Sequence, residues 1–158
     1  MKSKESLFYA HDKDSVFASL LISEAAAYYA EQGKTLWDAL VALFEEHGTF
    51  VEKTINIQMK GFDALEKMKK LMADLRSNPI TELAGLKILE CKDYLNGIDG
   101  LPPSNVLYYT LEDGSVLVIR PSGTEPKVKL YVMVSANDKP TAEAKADALG
   151  KAFTDAAV

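Results

Sequence analysis

Residues 116–135, VLVIRPSGTEPKVKLYVMVS, form two apolar, β-branched runs broken by Arg120-Pro121-Ser122-Gly123-Thr124-Glu125-Pro126. The runs read as strands and the interruption as a short loop. Upstream, Asn105 to Leu111 faces Val116 to Ile119 across Glu112-Asp113-Gly114-Ser115. Its Asp-Gly step marks a tight hairpin, because glycine accepts the positive φ that such turns require. Consecutive strands joined this closely pair antiparallel, so the stretch sets the character of the sheet.

Working outward, Lys87 to Asp93 is a further strand, followed by the Gly- and Pro-containing loop NGIDGLPPS. Val51, Lys53, Ile55 and Ile57 alternate with Glu52, Thr54, Asn56 and Gln58 as in a half-buried strand. Between these, Phe62, Leu65, Met68, Leu71, Met72 and Leu75 recur at helical spacing until Asn78-Pro79. A last helix runs from Asp138 to about Ala156, with Ala142, Ala146, Leu149 and Phe153 on one face. The chain opens with a helical pair. Asp14 caps the first helix, on which Phe17, Leu20, Leu21, Ala25 and Tyr28 recur; Thr35-x-x-Asp38 resembles a capping box for the second. The expectation is an α+β fold: a mainly antiparallel sheet of about four strands with helices on one face, preceded by the helical pair. The composition shifts at Gly48, dividing the chain into 1–47 and 48–158.

Net charge is −5, with acidic and basic residues interspersed. That argues against a nucleic-acid footprint or an anionic-membrane surface, and nothing in the pattern announces a basic, aromatic sheet face. No apolar stretch is long enough for a membrane span, and the first residues lack a signal peptide's apolar core. With Cys91 the sole cysteine, no intrachain disulfide can form, and a cytoplasmic setting is expected.

Any anion site must therefore be local, and the quoted loop has the chemistry for one. Arg120 offers a planar fork of donors, Ser122 and Thr124 offer hydroxyls, and the Ser-Gly-Thr backbone offers N–H groups. Gly123 permits a close approach or a left-handed turn; Pro121 and Pro126 stiffen the shoulders. By composition alone an ordinary turn with an exposed arginine is an equal reading. Lys127 and Lys129, two apart on the next strand, point to one face, and the residues leave open whether they add charge to the site or stand in solvent. Glu125 orients the loop or faces water. His11 and His47 have no ligand spacing around them. Cys91 reads as a small buried hydrophobe; Met59, Met68, Met72 and Met133 read as core or edge packing, and Trp37 as a packing anchor or part of a contact with another domain.

RPSGTEP between two strands, with LPPSNVLYYTLEDGS just upstream, resembles the C-terminal domain of the phosphoglucomutase/phosphomannomutase family, the α-D-phosphohexomutases. DKDSVFASLLISEAAAYYAEQGKTLWDAL resembles the helical end of that family's third domain. The resemblance implies a C-terminal domain similar in fold to TATA-binding proteins. It also implies an intramolecular phosphotransferase of carbohydrate metabolism, an isomerase that moves a phosphoryl group between the 1 and 6 positions of a hexose through a phosphoserine. Carried onto this sequence, it puts Arg120, Ser122, Gly123 and Thr124 on the substrate phosphate, with Lys127 and Lys129 as further candidates. Magnesium and a hexose bisphosphate activator belong to the parent enzyme. No cofactor, metal ligand or catalytic residue carries over, because the family's catalytic serine and Asp-x-Asp-x-Asp metal loop have no counterpart; Asp12-Lys13-Asp14 is a helix cap. Glu5-Ser6 lacks the glycines that flank the family's sugar-selecting loop, so no sugar-binding role falls on it. The expected partners are a hexose phosphate and the N-terminal domains of the same enzyme, with neither nucleic acid nor membrane. On this reading 1–47 is a remnant of the third domain and 48–158 the phosphate-binding domain. A stand-alone module that binds small anions or a protein partner is the alternative.

Overall fold

The computed structural model describes residues 14–98 and 100–157; His11, Asp12-Lys13 and Glu5-Ser6 lie outside them. The chain separates into two compact units, Met1–His47 and Gly48–Val158.

In the first unit, Asp14 Oδ1 accepts the Phe17 amide at 2.9 Å and begins α1 (Ser15–Glu31), satisfying a first-turn N–H that has no partner inside the helix. Before α2 (Leu36–His47), the Thr35 N–H and hydroxyl donate to Asp38 Oδ2 at 2.7 and 2.6 Å, and the Asp38 N–H donates to Thr35 Oγ1 at 3.1 Å. This is the reciprocal bonding of a capping box. The Thr35 hydroxyl and amide hold the Asp38 carboxyl below its usual range. Helix formation follows the sequence; burial does not. No residue of α1 is buried, Leu20 is 64% exposed, and in α2 only Ala39 is buried. Trp37 is also 64% exposed, so of its two readings it anchors no packing within this chain.

The second unit runs β1 (Thr49–Gln58), α3 (Ala64–Ser77), β2 (Glu82–Leu83), β3 (Leu86–Asp93), a 3-10 turn (Tyr94–Asn96), β4 (Leu107–Leu111), β5 (Val116–Pro121), β6 (Lys127–Ala136) and α4 (Lys139–Ala157). The strands form one antiparallel sheet in the order β1-β6-β5-β4-β3-β2. It has six strands rather than about four. The strand that periodicity could not show, β2, is two residues long and joined to β3 by Ala84-Gly85, both at positive φ as a tight primed turn requires.

One face of the sheet carries Leu107, Tyr109 and Leu111 of β4, Leu117 and Ile119 of β5, and Val128 through Val134 of β6 at alternate positions. Met68, Leu71, Met72 and Leu75 of α3, with Ala142, Ala146, Leu149 and Phe153 of α4, close the core over that face. Two expectations fail at its margins. Phe62, assigned to the buried stripe of α3, precedes the helix and is fully exposed, because Gly61 at φ 103° turns the chain first; Leu65 is 57% exposed. Cys91 is exposed rather than buried, since β2 pairs only with Leu86 and Lys87 and leaves the rest of β3 at the sheet edge.

Side-chain bonds fix the turns at the two ends of the sheet. In the β4–β5 hairpin Asp113 accepts from Ser115 N–H at 3.0 Å, Ser115 Oγ at 2.9 Å and Lys145 Nζ of α4 at 2.9 Å. Burial would raise that carboxyl, and these bonds outweigh it and hold it below its usual range. At the other end Arg76 of α3 grips Asp93 with Nε at 2.8 Å and Nη2 at 3.1 Å, and Nη2 reaches Asn105 Oδ1 at 2.7 Å. The NGIDGLPPS loop is closed at its base by Tyr94 O, which accepts from Gly97 N–H at 3.0 Å and Ser104 N–H at 2.8 Å.

Candidate anion-binding site

The β5–β6 loop stands at the Arg76–Asp93 end of the sheet, since Ile119 is in register with Leu107 and Leu107 with Asp93. It is closed from within: Ser122 N–H donates to Lys127 O at 2.8 Å, and Lys127 N–H to Glu125 O at 2.8 Å. Met59 N–H donates to Pro126 O at 2.9 Å and ties the loop to the end of β1. Ser122 Oγ accepts from the amides of Thr124 at 3.4 Å and Glu125 at 3.3 Å, which folds the tip inward. Among the described residues the Gly123 amide and the Thr124 hydroxyl have no protein acceptor. Gly123 is not at positive φ, and a Cβ there would meet nothing within 4 Å. Its bareness therefore leaves the outer side of the loop open and does not serve a left-handed turn.

The cations around the loop divide by what they touch. Lys127 pairs with Glu125, and the Lys127 ammonium holds the Glu125 carboxyl below its usual range. Arg120 is exposed and lies directly opposite Lys129 across the β5–β6 ladder. Among the described residues neither makes an ion pair or hydrogen bond, although Lys129 lies near enough to the Glu125 carboxylate to help hold it below its usual range. Like charges opposite one another on a sheet face repel. An anion placed between this pair would relieve the repulsion and take up both sets of donors.

The two cations face away from the helices, and the register extends the pattern along that open face. The row containing Arg120 and Lys129 continues to Asn56 of β1. The next row toward the opposite end of the sheet is Lys92, Tyr108, Val118, Tyr131 and Thr54; the one after is Glu90, Thr110, Val116, Met133 and Glu52. Tyr108, Val118, Tyr131 and Met133 are half-buried. This basic, aromatic face is not visible in the sequence because its members come from five strands and meet only through register. Its one legible part was the spacing of Lys127, Lys129, Tyr131 and Met133 within β6.

Other candidate features are already satisfied or dispersed. A groove of about 640 Å³ lies beside the loop between Met59, Lys60, Lys67 and Leu71, but Lys67 is held by Asp63 at 3.0 Å and by Lys60 O at 3.1 Å. Although Cys91 is exposed at the sheet edge, desolvation by its neighbours pushes its thiol up, away from the reactive thiolate. Among the described residues no three His, Cys, Asp or Glu side chains gather as a metal-ligand set, and no helix is long and apolar enough to cross a membrane.

Comparison with known proteins agrees with the resemblance read from the loop. Residues 55–152 match the family described as phosphoglucomutase/phosphomannomutase, C-terminal domain. The chain is 35% identical over 132 residues to a probable phosphomannomutase of Haemophilus influenzae, covering 84% of this chain and 26% of that protein. It is 34% identical over 142 residues to a phosphoglucomutase of Staphylococcus aureus, covering 82% and 25%. In fold it resembles the open-form crystal structure of pp63/parafusin, a phosphoglucomutase from Paramecium, with a TM-score of 0.61 at 17% identity over 89% of this chain and 26% of that one. The chain thus spans about a quarter of the length of the curated relatives it matches. With over half of its residues inside the family's C-terminal domain, the chain belongs to the phosphoglucomutase/phosphomannomutase family.

Proposed function

We propose that the chain is the substrate-phosphate-binding domain of a cytoplasmic phosphohexomutase, with residues 1–47 the helical end of the preceding domain. The parent enzyme would transfer a phosphoryl group between the 1 and 6 positions of a hexose, and its partner domains would supply the phosphoserine. Magnesium would belong to those domains, where the resemblance places the family's Asp-x-Asp-x-Asp loop. This chain contributes position and charge: Arg120 and Lys129 take the phosphate between them, while the Gly123 N–H and the Ser122 and Thr124 hydroxyls donate from the loop. Such a grip reads the phosphate and ignores which sugar face is presented, which suits a substrate that must bind in two orientations. The net charge of −5 and the local character of the cation pair favour a small anion over nucleic acid.

The observation that carries this reading is the Arg120–Lys129 pair, which makes no ion pair among the described residues, beside a loop with a free glycine amide. Its test is an amide NMR titration of the chain with glucose 6-phosphate, glucose and chloride. The sugar phosphate is expected to move Ser122, Gly123 and Thr124 together with millimolar affinity, on the order of 4 kcal/mol. Glucose is expected to move none, and Arg120→Lys to weaken the response because a point charge cannot replace the fork. Equal shifts with chloride, insensitive to Arg120→Lys, would reduce the site to non-specific ion binding. The chain alone is expected to show no conversion of glucose 1-phosphate to glucose 6-phosphate.

A further inference from the structure

The aromatic row is unexplained by a phosphate grip. Tyr131 follows Lys129 by two residues on the same strand and face, a separation of roughly 7 Å. Tyr108 stands two strands away in the same row with Val118 between them, so the tyrosines and the valine form one continuous apolar platform. Carboxylates are absent from both the cation row and the aromatic row; Glu90 and Glu52 first enter in the row beyond. The face therefore runs from positive to aromatic with no carboxylate in either row, and the one carboxylate beside the cations, Glu125, is paired with Lys127.

We propose that this open face binds a nucleoside 5′-monophosphate, with its phosphate between Arg120 and Lys129 and its base stacked on Tyr131 and Val118. This rests on the phosphate reading of the preceding subsection and adds a ligand class to it. The spacing selects the class. In a hexose 6-phosphate the sugar ring, one methylene from the phosphate ester, ends the molecule at the gap beyond the cation row and brings no flat ring to the tyrosines. In a nucleotide the ribose spans that gap and sets the base over the aromatic row, where stacking needs only a π-face and the tyrosine ring supplies one. The nucleotide would compete with the sugar phosphate for the same two cations.

The experiment is an NMR titration of the 158-residue chain with adenosine 5′-monophosphate, ribose 5-phosphate and adenosine. Both phosphates are expected to move Ser122, Gly123 and Thr124, and only adenosine 5′-monophosphate to give ring-current shifts at Val118 and Tyr131. It is expected to bind about tenfold more tightly than ribose 5-phosphate, which corresponds to about 1.4 kcal/mol. Tyr131→Leu should abolish that advantage while ribose 5-phosphate binds as before, and Tyr131→Phe should keep it. Equal affinity of the two phosphates with Val118 and Tyr131 unmoved would overturn the stacking proposal and leave the phosphate grip standing. If ribose 5-phosphate also leaves Ser122–Thr124 unmoved, the grip fails and the stacking proposal fails with it. The wild-type ring-current shifts decide the matter without a variant, so impaired folding of Tyr131→Leu would not rescue the proposal.

Discussion

Arg76→Met removes the knot that joins α3, the end of β3 and the approach to β4. The Arg76 side chain is 21% exposed and makes two short bonds to Asp93 and one to Asn105. Methionine keeps most of the apolar stem, so the loss is mainly that of the charged fork. Well-desolvated hydrogen bonds to charged groups contribute about 1.5–3 kcal/mol, whereas exposed ion pairs contribute about 0–1 kcal/mol. Asp93 is 38% exposed and keeps the Leu95 amide at 3.0 Å, so water can replace part of what it loses. The expected cost lies between those limits, about 2 kcal/mol, or roughly 6–10 °C in melting temperature for a unit of this size. The Arg76 hydrogen bonds hold the Asp93 carboxyl below its usual range in the folded chain. A depressed folded pKa contributes stability above the unfolded value of about 3.9, and that contribution is lost as pH falls through the folded value. The gap between wild type and variant should therefore be full at pH 7 and narrow below about pH 4. Urea unfolding of both proteins at pH 7 and pH 3 measures it. A loss under about 0.5 kcal/mol, or the same loss at both pH values, would refute the assignment of stability to this ion pair.

Three further outcomes are expected. Tyr109→Phe deletes a buried hydroxyl that has no hydrogen-bond partner and whose titration burial pushes up; it should leave stability unchanged or raise it by about 1 kcal/mol, and a clear loss in thermal melts would mean that the Cys91 thiol is a real partner. Lys129→Gln relieves the repulsion with Arg120, so the unfolding free energy should rise by a few tenths of a kcal/mol while the NMR response to glucose 6-phosphate falls; a fall in both would make Lys129 a structural residue. Amides of α1, which buries no residue, should exchange faster with deuterium than those of β4 and β5. Equal protection would show that the helix has found cover.

Several parts of this protein could be read from local chemistry alone. Asp14 and Thr35-x-x-Asp38 cap their helices because the bonding partners lie three residues away, within reach whatever the remainder of the chain does. Asp113-Gly114 makes the hairpin because glycine bears φ 80° without strain. The two-residue spacing in β6 placed Lys127 and Lys129 on one face, though Met133, read as packing, shares it, and the RPSGTEP loop carried the family. Those features follow from local spacing, turn chemistry and a short motif.

What tertiary structure decided is which residues meet. Lys127 and Lys129 look equivalent in the sequence, but Lys127 folds back on Glu125 in an ion pair while Lys129 stands opposite Arg120 without one. Tyr108 and Tyr131 share a row only because β5 lies between their strands. Cys91 sat in an apolar run, and its exposure depends on how few residues β2 pairs beside it. The apolar spacing of α1 correctly gave a helix but could not give a buried one, because burial belongs to whatever surface covers a helix. Strand register and edge position are relations between segments distant in the chain, so no window of sequence contains them.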